Sequence, residues 1–367
     1  MSPVAGSPAA RVADVKRELL VRHLEAWAPA ALHRARRATY AHGYADADDA
    51  RAAEAALRVF TEQSDLVRGR ELAMVAVADD ATGPIRRLSA VQREAGPSAG
   101  LVVHTVSGGT DARLGVALQA AGAGRKPLFG YLDASAAPAP PASTTLAALG
   151  AGKPVEVMLV LAADVLPRLA ADDPTAGDPT VGDRDLGDRM FGDDRWRAVP
   201  APAPDRRIAG LVQAYRSVLR DAGFPLTAAV ELVAGDADDP GELLVFATTS
   251  GKSLEGFKEA LWAADEYAGV RYRDPGDPQR HPIDISLSPH PGPLRRELLA
   301  HLRAVGPRSV TELRTFTLTE TVYRAADANG VLNALLTAGA VTREPANGRL
   351  GGDVVIAATE PAARTVV

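Results

Sequence analysis

Two short segments of the sequence carry residues that suit a nucleotide-like cofactor. Gly43 and Tyr44 lie in the segment 40–48, and a glycine in the turn after a first strand lets backbone approach a cofactor without a Cβ clash. Asp79 and Asp80 follow the strand-like run 70–78, where an acid in a dinucleotide-like fold usually accepts hydrogen bonds from ribose hydroxyls. The same two acids also suit a solvated turn before the next helix, so both interpretations stay open.

Alternating strand-like and helical segments must position these residues. The predicted strands are the short apolar runs at 70–78, 101–106, 128–132, 155–161, 228–233 and 243–247. The segment 12–37 is predicted to form one or two helices, and we expect Pro29 to interrupt its apolar stripe. Further helices are predicted around 49–63, 85–93, 114–121 and 206–222. The alternation predicts an α/β, Rossmann-like fold with a mainly parallel, doubly wound sheet.

The segment 243–274 has the most specific sequence motifs in the chain. It reads as a buried strand, a short loop, an amphipathic helix and a second extended piece. It resembles the end of the catalytic-type domain in the three-Cys-motif partner protein family. The resemblance is carried by Phe246-Ala247-Thr248, Lys252-Ser253-Leu254, Leu261-Trp262 and Val270-Arg271-Tyr272. It covers about residues 12–275 and implies an S-adenosylmethionine-methyltransferase-type fold.

The resemblance implies where a cofactor would bind. Segment 40–48 matches the glycine-rich loop of the family, so Gly43 and Tyr44 become candidate S-adenosylmethionine-binding residues, with Asp79 or Asp80 on the ribose. Asp46 and Asp48 stand where the family has further glycines. Two carboxylates therefore crowd the place where backbone should meet the methionine part of the cofactor, which argues against its binding.

Asp133 is the candidate catalytic residue that the resemblance implies. It matches the acid of a family segment similar to the loops of amino-methyltransferases, in which an acid or amide holds the target nitrogen and an aromatic ring stacks on the base. Here Ala134, Ser135 and Ala136 replace the proline, aromatic and glycine. Loss of the aromatic removes stacking that is worth about 1–3 kcal/mol. A helix N-cap or turn acid is the competing interpretation of Asp133.

The C-terminal part has a different pattern. We expect a methyltransferase-like α/β domain over 1–275 with an acidic loop at 171–194, a linker at 276–292, a winged-helix-like domain over 293–358 and a tail at 359–367. Arg324, on the predicted recognition helix, and Arg349, at the predicted wing tip, are the candidate nucleic-acid or partner-binding residues. Nine arginines against seven acids from residue 293 onward leave a weak positive footprint.

Composition excludes several classes of function. The 367 residues carry a formal net charge of −5, which supplies no global attraction for nucleic acid or an anionic membrane. The absence of cysteine excludes disulfides, thiol nucleophiles and cysteine–metal sites. The seven histidines show no metal-ligand spacing, so we expect no metal. The N-terminus has no signal-peptide pattern and no run nears the ~18 apolar residues of a membrane span, so we expect a cytoplasmic protein without a membrane partner.

Three hypotheses for function follow. The first is a three-Cys-motif partner-like protein with a degenerate methyltransferase-type pocket, acting as a binding or regulatory partner, with a three-Cys-motif protein as its expected partner. The second is an active S-adenosylmethionine-dependent methyltransferase acting on nucleic acid, with Asp133 orienting the target amine and Asp79 or Asp80 holding ribose. The third is a DNA-binding regulator in which the winged helix contacts DNA. Fold and activity are separate questions here, because the loops differ more than the core.

Overall fold

The chain divides into two compact units, Met1–Ile285 and Ser286–Val367. The computed structural model describes residues 7–63, 69–96, 98, 100–162, 164–171, 181–200, 203–234, 241–264, 270–277, 279, 281–283 and 291–359. The division falls inside the predicted linker 276–292, of which residues 278, 280 and 284–290 lie outside the described residues. The predicted tail also lies outside them, except for residue 359.

A nine-stranded sheet forms the centre of the first unit, with strand order β3-β2-β1-β4-β5-β7-β6-β8-β9. Strands β1 to β5 are parallel, and the four later strands join antiparallel. The strands are β1 Arg37–Gly43, β2 Glu71–Ala78, β3 Leu101–Ser107, β4 Leu128–Ala134, β5 Val155–Leu161, β6 Leu226–Val233, β7 Glu242–Thr248, β8 Arg271–Arg273 and β9 Pro282–Ile283. The predicted α/β class with a mainly parallel, Rossmann-like sheet is confirmed.

Helices cover both faces of this sheet. They are α1 Pro8–Arg34, α2 Arg51–Glu62, α3 Thr82–Ala95, α4 Thr110–Ala120, α5 Ser143–Leu149, α6 Val165–Ala171, α7 Val181–Phe191, α8 Pro204–Asp221 and α9 Gly251–Ala263. Helix α1 packs against α2 and α9, whereas α4 packs against α5, and α5 against α8. Every residue of β4 and β5 is buried, because both strands lie between the two helical layers. Within the described residues, the search for a helix long and apolar enough to cross a membrane found none.

Helix α1 continues through Pro29, so the predicted interruption there is wrong. A proline inside a helix frees the carbonyl four residues earlier, which here belongs to Glu25. That carbonyl accepts a hydrogen bond from the Gln63 side chain at 3.4 Å. The apolar stripe of α1, including Leu20, Leu24 and Trp27, is buried. A satisfied carbonyl and a buried stripe explain why the helix tolerates this proline.

The predicted acidic loop 171–194 is partly helical, which corrects that prediction. Residues Val181–Phe191 form α7, and residues 172–180 lie outside the described part of the chain. Asp188 accepts a hydrogen bond from the indole nitrogen of Trp196 at 2.9 Å and pairs with Arg197. Trp196 is itself fully buried. The acid at this helical position therefore anchors a core tryptophan.

The second unit combines three helices with a small sheet. Its elements are α10 Gly292–Val305, β10 Arg308–Ser309, α11 Val310–Glu320, α12 Asp327–Thr337, β11 Val341–Glu344 and β12 Val355–Ala358. The three strands are antiparallel in the order β10-β12-β11. Ser309 and Glu312 form a reciprocal capping box that starts α11. The third helix begins at Asp327, so the prediction that Arg324 lies on this helix is wrong. A carboxylate oxygen of Asp327 accepts a hydrogen bond from the backbone N–H of Arg324 and closes a turn before the helix.

Candidate functional site

The carboxyl ends of β1, β2 and β4 bring the sequence-predicted residues to one edge of the sheet. Strand β1 lies between β2 and β4, and Gly43 at its end is level with Leu132 of β4. Tyr44, Asp79 and Asp80 follow β1 and β2 directly, and Asp133 is the next-to-last residue of β4. This edge is where ligands bind in doubly wound folds, so the prediction placed the candidate site at a chemically sensible position.

Gly43 is required by the packing of the chain itself. A Cβ at this position would lie 2.5 Å from Cδ2 of Leu132 and 2.7 Å from Cγ2 of Thr110. The Thr110 hydroxyl also accepts a hydrogen bond from the backbone N–H of Tyr44 at 2.8 Å. Thr110 is buried at the start of α4. The space that a glycine opens above the first strand is therefore filled by a threonine from the protein.

The turn after β1 uses its backbone donors internally. The N–H of Ala45 donates to the carbonyl of Val77, and the N–H of Ala47 donates to the carbonyl of Tyr44, both at 2.9 Å. Tyr44 has a φ of 54°, in the left-handed region that non-glycine residues seldom adopt. Cofactor-binding turns of this kind present backbone to the ligand. Here the backbone N–H groups of Tyr44, Ala45 and Ala47 are instead engaged within the protein and fix the turn.

The carboxylates that replace the expected glycines are held by the protein. Asp48 pairs with Arg17 of α1 at 3.2 Å. Asp46 accepts a hydrogen bond from the backbone N–H of Asp80 at 3.2 Å, which links the first turn to the second. The neighbouring Asp49 pairs with Arg87 of α3. The acids thus stabilise a closed turn, and arginines balance the charges of Asp48 and Asp49.

Asp79 and Asp80 have different environments although both are exposed. Asp80 accepts a hydrogen bond from the backbone N–H of Thr82 at 2.8 Å at the start of α3. Hydrogen bonding to the side chain of Thr82, and then to its backbone, holds the pKa of Asp80 below its ordinary value. That is the turn role considered from the sequence. The backbone carbonyl of Asp79 accepts from the Ser107 hydroxyl at 3.3 Å. Within the described residues the carboxylate of Asp79 has no hydrogen bond or ion pair, so of the two acids it is the one suited to ribose hydroxyls.

Tyr44 lies beside a second polar group on the α4 side of the sheet. Burial raises the pKa of Tyr44, and the nearby charge of Asp111 adds to the effect. Asp111 pairs with Arg189 and accepts a hydrogen bond from the Thr145 hydroxyl at 2.5 Å. The hydroxyl of Tyr215 is buried without a hydrogen-bond partner in the described part of the chain. A polar ligand at this edge could supply the hydrogen bond that the Tyr215 hydroxyl lacks.

Asp133 is buried and holds a lysine from α1. The Nζ of Lys16 lies 2.9 Å from Oδ2 of Asp133 and 2.7 Å from Oε2 of Glu242, and the Lys16 side chain is only 6% exposed. The other oxygen of Asp133 accepts hydrogen bonds from the backbone N–H and hydroxyl of Ser135, at 3.1 and 2.5 Å. The hydroxyl of Tyr131 donates to Oδ2 at 3.2 Å. Both carboxylate oxygens therefore have partners from the chain.

The charges of this cluster, Lys16, Asp133 and Glu242, are strongly coupled. Burial alone would raise the pKa of Asp133, but Lys16 and Ser135 outweigh it and hold the pKa below its usual value. Burial likewise opposes the charged form of Lys16, yet Asp133 and Glu242 raise its pKa. Burial raises the pKa of Glu242 against the opposing effect of Lys16. The ammonium of Lys16 thus keeps Asp133 ionised and also occupies one of its carboxylate oxygens.

A neutral histidine lies next to the cluster. His42 is fully buried, and burial lowers its pKa to about 4 although Asp133 opposes the shift. Its Nδ1 lies 2.7 Å from the hydroxyl of Tyr40, and its ring lies 5.0 Å from that of Tyr131. At neutral pH His42 is an uncharged core residue in a hydrogen-bonded network.

The sequence analysis did not identify two buried polar features. One is the lysine Lys16, and the other is a hydrogen-bonded cluster of His23 of α1, Glu156 of β5 and Ser253 of α9. Oε2 of Glu156 lies 2.8 Å from Nε2 of His23, and Oε1 accepts from the Ser253 hydroxyl at 2.6 Å. Signals for both were present, because Lys16 and His23 interrupt the apolar stripe of α1 and Glu156 interrupts the apolar run of β5. Charged residues at core positions are almost always paired.

The two arginines predicted in the second unit have different surroundings. The guanidinium of Arg324 donates to both oxygens of Asp327, at 3.1 and 2.7 Å. The exposed positions of α12, such as Asn333 and Thr337, carry no positive charge. Arg349 is exposed and its backbone carbonyl accepts from the side chain of Arg343 at 3.2 Å. In the part of the chain that the structure describes, Arg349 has no carboxylate at ion-pairing distance, whereas Arg324 is engaged by Asp327.

The described residues contain no group of three or more histidines, cysteines or carboxylates arranged to hold a metal ion. Comparisons with protein-family models, with curated proteins and with solved structures gave no match.

Proposed function

We propose that the chain is a three-Cys-motif partner-like protein with a methyltransferase-type fold and a degenerate pocket, and that it serves as a binding or regulatory partner. The strand order supports the fold, because β7 enters antiparallel between β5 and β6, as expected for the methyltransferase-like sheet that the resemblance implies. The contacts of the three loops at the sheet edge support the loss of activity. Activity depends on the residues of these loops, whereas the sheet indicates only the fold.

The observation that carries the proposal is the ammonium of Lys16 between Asp133 and Glu242. An acid that orients a target amine must offer an oxygen to that amine. Lys16, Tyr131 and Ser135 already occupy the oxygens of Asp133. Displacing the lysine would leave buried carboxylates without a counter-charge, which costs several kcal/mol. A substrate amine would have to supply that energy before any chemistry began.

The cofactor side of the edge supports the same proposal. Thr110 fills the space above Gly43, and Asp46, Asp48 and their partners close the turn that a cofactor would have to enter. The partner proposed for such a protein is the three-Cys-motif protein of the resembled family. Binding between the purified proteins can be measured directly, and a stable complex without S-adenosylmethionine is the expected result.

Titration calorimetry with S-adenosylmethionine tests the proposal against its main rival. We expect no binding heat at millimolar ligand, because the turn donors and Asp133 are occupied. The active-methyltransferase alternative requires S-adenosylmethionine to bind, and Asp79 and the free hydroxyl of Tyr215 are the features that favour it. Binding of S-adenosylmethionine with a submicromolar Kd would refute the proposal.

For the second unit we propose a winged helix that docks on protein. The order helix, strand, helix, helix and hairpin supports this assignment. Protein docking is favoured over DNA contact because Arg324 is engaged by Asp327 and the exposed side of α12 is uncharged. DNA binding would depend on Arg349 and the scattered arginines around it. An electrophoretic shift with duplex DNA at low salt separates the two.

A further inference from the structure

A cavity of about 300 Å³ lies between α1 and α9. Pro154, directly before β5, and Glu156, the second residue of β5, line it. It therefore lies at the amino ends of the parallel strands, at the opposite edge of the sheet from Asp133. Its volume is at the lower end of the range of roughly 300–1,000 Å³ found for small-molecule sites.

Small residues on two facing helices create this space. Ala26 and Ala30 of α1 line it, as do Gly256 and Ala260 of α9. Each pair is four residues apart and so lies on one face of its helix. A Cβ added at Gly256 would meet no atom within 4 Å. At these four positions the helix walls are small and uncharged, so they leave room for a compact apolar body.

The charged residues of the cavity are unbalanced. Arg22, Arg34 and Lys252 line it, and Glu156 is the single carboxylate among its lining residues. Glu156 is only 4% exposed and already binds His23 and Ser253. Arg22 pairs with Glu18 at 2.6 Å. Within the described residues, neither Arg34 nor Lys252 has a carboxylate at ion-pairing distance.

We propose that this cavity binds a small organic anion. Its carboxylate or phosphate lies between Arg34 and Lys252, where charge-assisted hydrogen bonds are the strongest available. Its apolar body lies between α1 and α9 against the small residues. The hydrogen-bonded group of His23, Glu156 and Ser253 fixes both helices to β5 and thereby fixes the width of the cavity. This site is separate from the sheet edge at Gly43 and Asp133. Its proposal can therefore be tested independently of the function proposed above.

Phenyl phosphate and benzoate are suitable probes for the full-length chain, with benzyl alcohol as the neutral analogue and benzamidine as the cationic one. Ligand-detected NMR and calorimetry should show binding of at least one anion with a Kd of about 1 mM, an ordinary fragment affinity. Comparing the two anions distinguishes a phosphate ligand from a carboxylate ligand. Failure of both anions to bind, or equal binding of benzamidine, would overturn the proposal.

Two variants locate the site. The double variant Arg34→Ala/Lys252→Ala should weaken anion binding at least about tenfold, because both cations are removed. The matched control Arg86→Ala/Arg93→Ala removes two exposed arginines from α3 and should leave the Kd within about twofold. Unchanged binding in the Arg34/Lys252 variant would refute the assignment of the charged group.

Gly256→Leu tests the apolar part with the fold preserved. The new side chain would extend into the open space, and replacing a helix-interior glycine should not lower helix stability. We expect anion binding to be lost while the thermal unfolding midpoint stays the same or rises. Retained binding in this variant would place the ligand elsewhere and overturn the proposal.

Discussion

Replacing Lys16 with methionine is the sharpest perturbation of the buried cluster. The substitution keeps the length and apolar stem of the side chain but removes the ammonium that lies 2.9 Å from Asp133 and 2.7 Å from Glu242. Breaking a buried ion pair costs about 3–5 kcal/mol because the remaining charge is uncompensated. We expect the lower part of this range, since the Glu242 side chain keeps 25% exposure and can be partly hydrated.

The loss should depend on pH with a definite sign. In the wild type the pKa of Asp133 is held below its usual value, so its contribution to stability persists at neutral pH and is lost only as pH falls through the folded-state pKa. Without Lys16, burial is unopposed and the pKa of Asp133 should rise above its usual value. The folded variant then takes up protons more readily than its unfolded chain. Its deficit in the free energy of unfolding should therefore shrink as pH falls from neutral to mildly acidic.

Urea unfolding at two pH values measures both effects. Lys252→Met is the matched control, because this lysine is exposed on α9, and it should change stability by less than about 0.5 kcal/mol. The double variant Lys16→Met/Asp133→Asn removes both charges and should recover much of the loss. The reasoning is refuted if Lys16→Met lies within about 1 kcal/mol of the wild type at neutral pH and shows no dependence on pH.

Three further outcomes are expected. Gly43→Ala should lower the free energy of unfolding by about 1–3 kcal/mol, measured by thermal unfolding, because the new Cβ overlaps Leu132 and Thr110. The control Gly83→Ala adds a Cβ in open space and should be nearly neutral. Equal effects of the two substitutions would contradict the packing explanation. The contribution of His42 to the free energy of unfolding should fall by up to ~3 kcal/mol as pH drops from 6.5 to about 4. In this pH range the unfolded chain binds more protons than the folded chain, because burial lowers the pKa of His42 in the folded state. NMR showing a charged His42 at pH 6 would contradict this prediction. The full chain should not shift duplex DNA at low salt, and a shift would restore the DNA-binding hypothesis.

Periodicity and composition predicted most of the fold for physical reasons. Strand β5 was predicted with the bounds that the structure has, Val155–Leu161, because a fully buried strand is a continuous apolar run. The errors arose where tertiary contacts override local preference. Gln63 satisfies the carbonyl that Pro29 frees, and the core contact of Trp196 supports a helix in an acidic segment. Neither partner is adjacent in sequence, so neither effect is visible locally.

The sequence predicted candidate residues that lie at one edge of the sheet, but it did not predict how those residues are paired there. Strand ends identify the edge that holds Gly43, Asp79 and Asp133, because parallel strands finish together. The closure of that edge depends on pairing between α1 and β4, whose residues Lys16 and Asp133 are distant in the chain. A lysine on an apolar helical stripe signals a buried partner, yet it does not say which carboxylate is paired. That identity required the three-dimensional arrangement.

A crystal of the full chain soaked in millimolar S-adenosylmethionine tests the central claim most directly. Our account predicts an unchanged edge, with Thr110 above Gly43, the Lys16–Asp133 pair intact and no nucleoside density. Clear density for the cofactor beside Tyr44, with its ribose on Asp79, would contradict it.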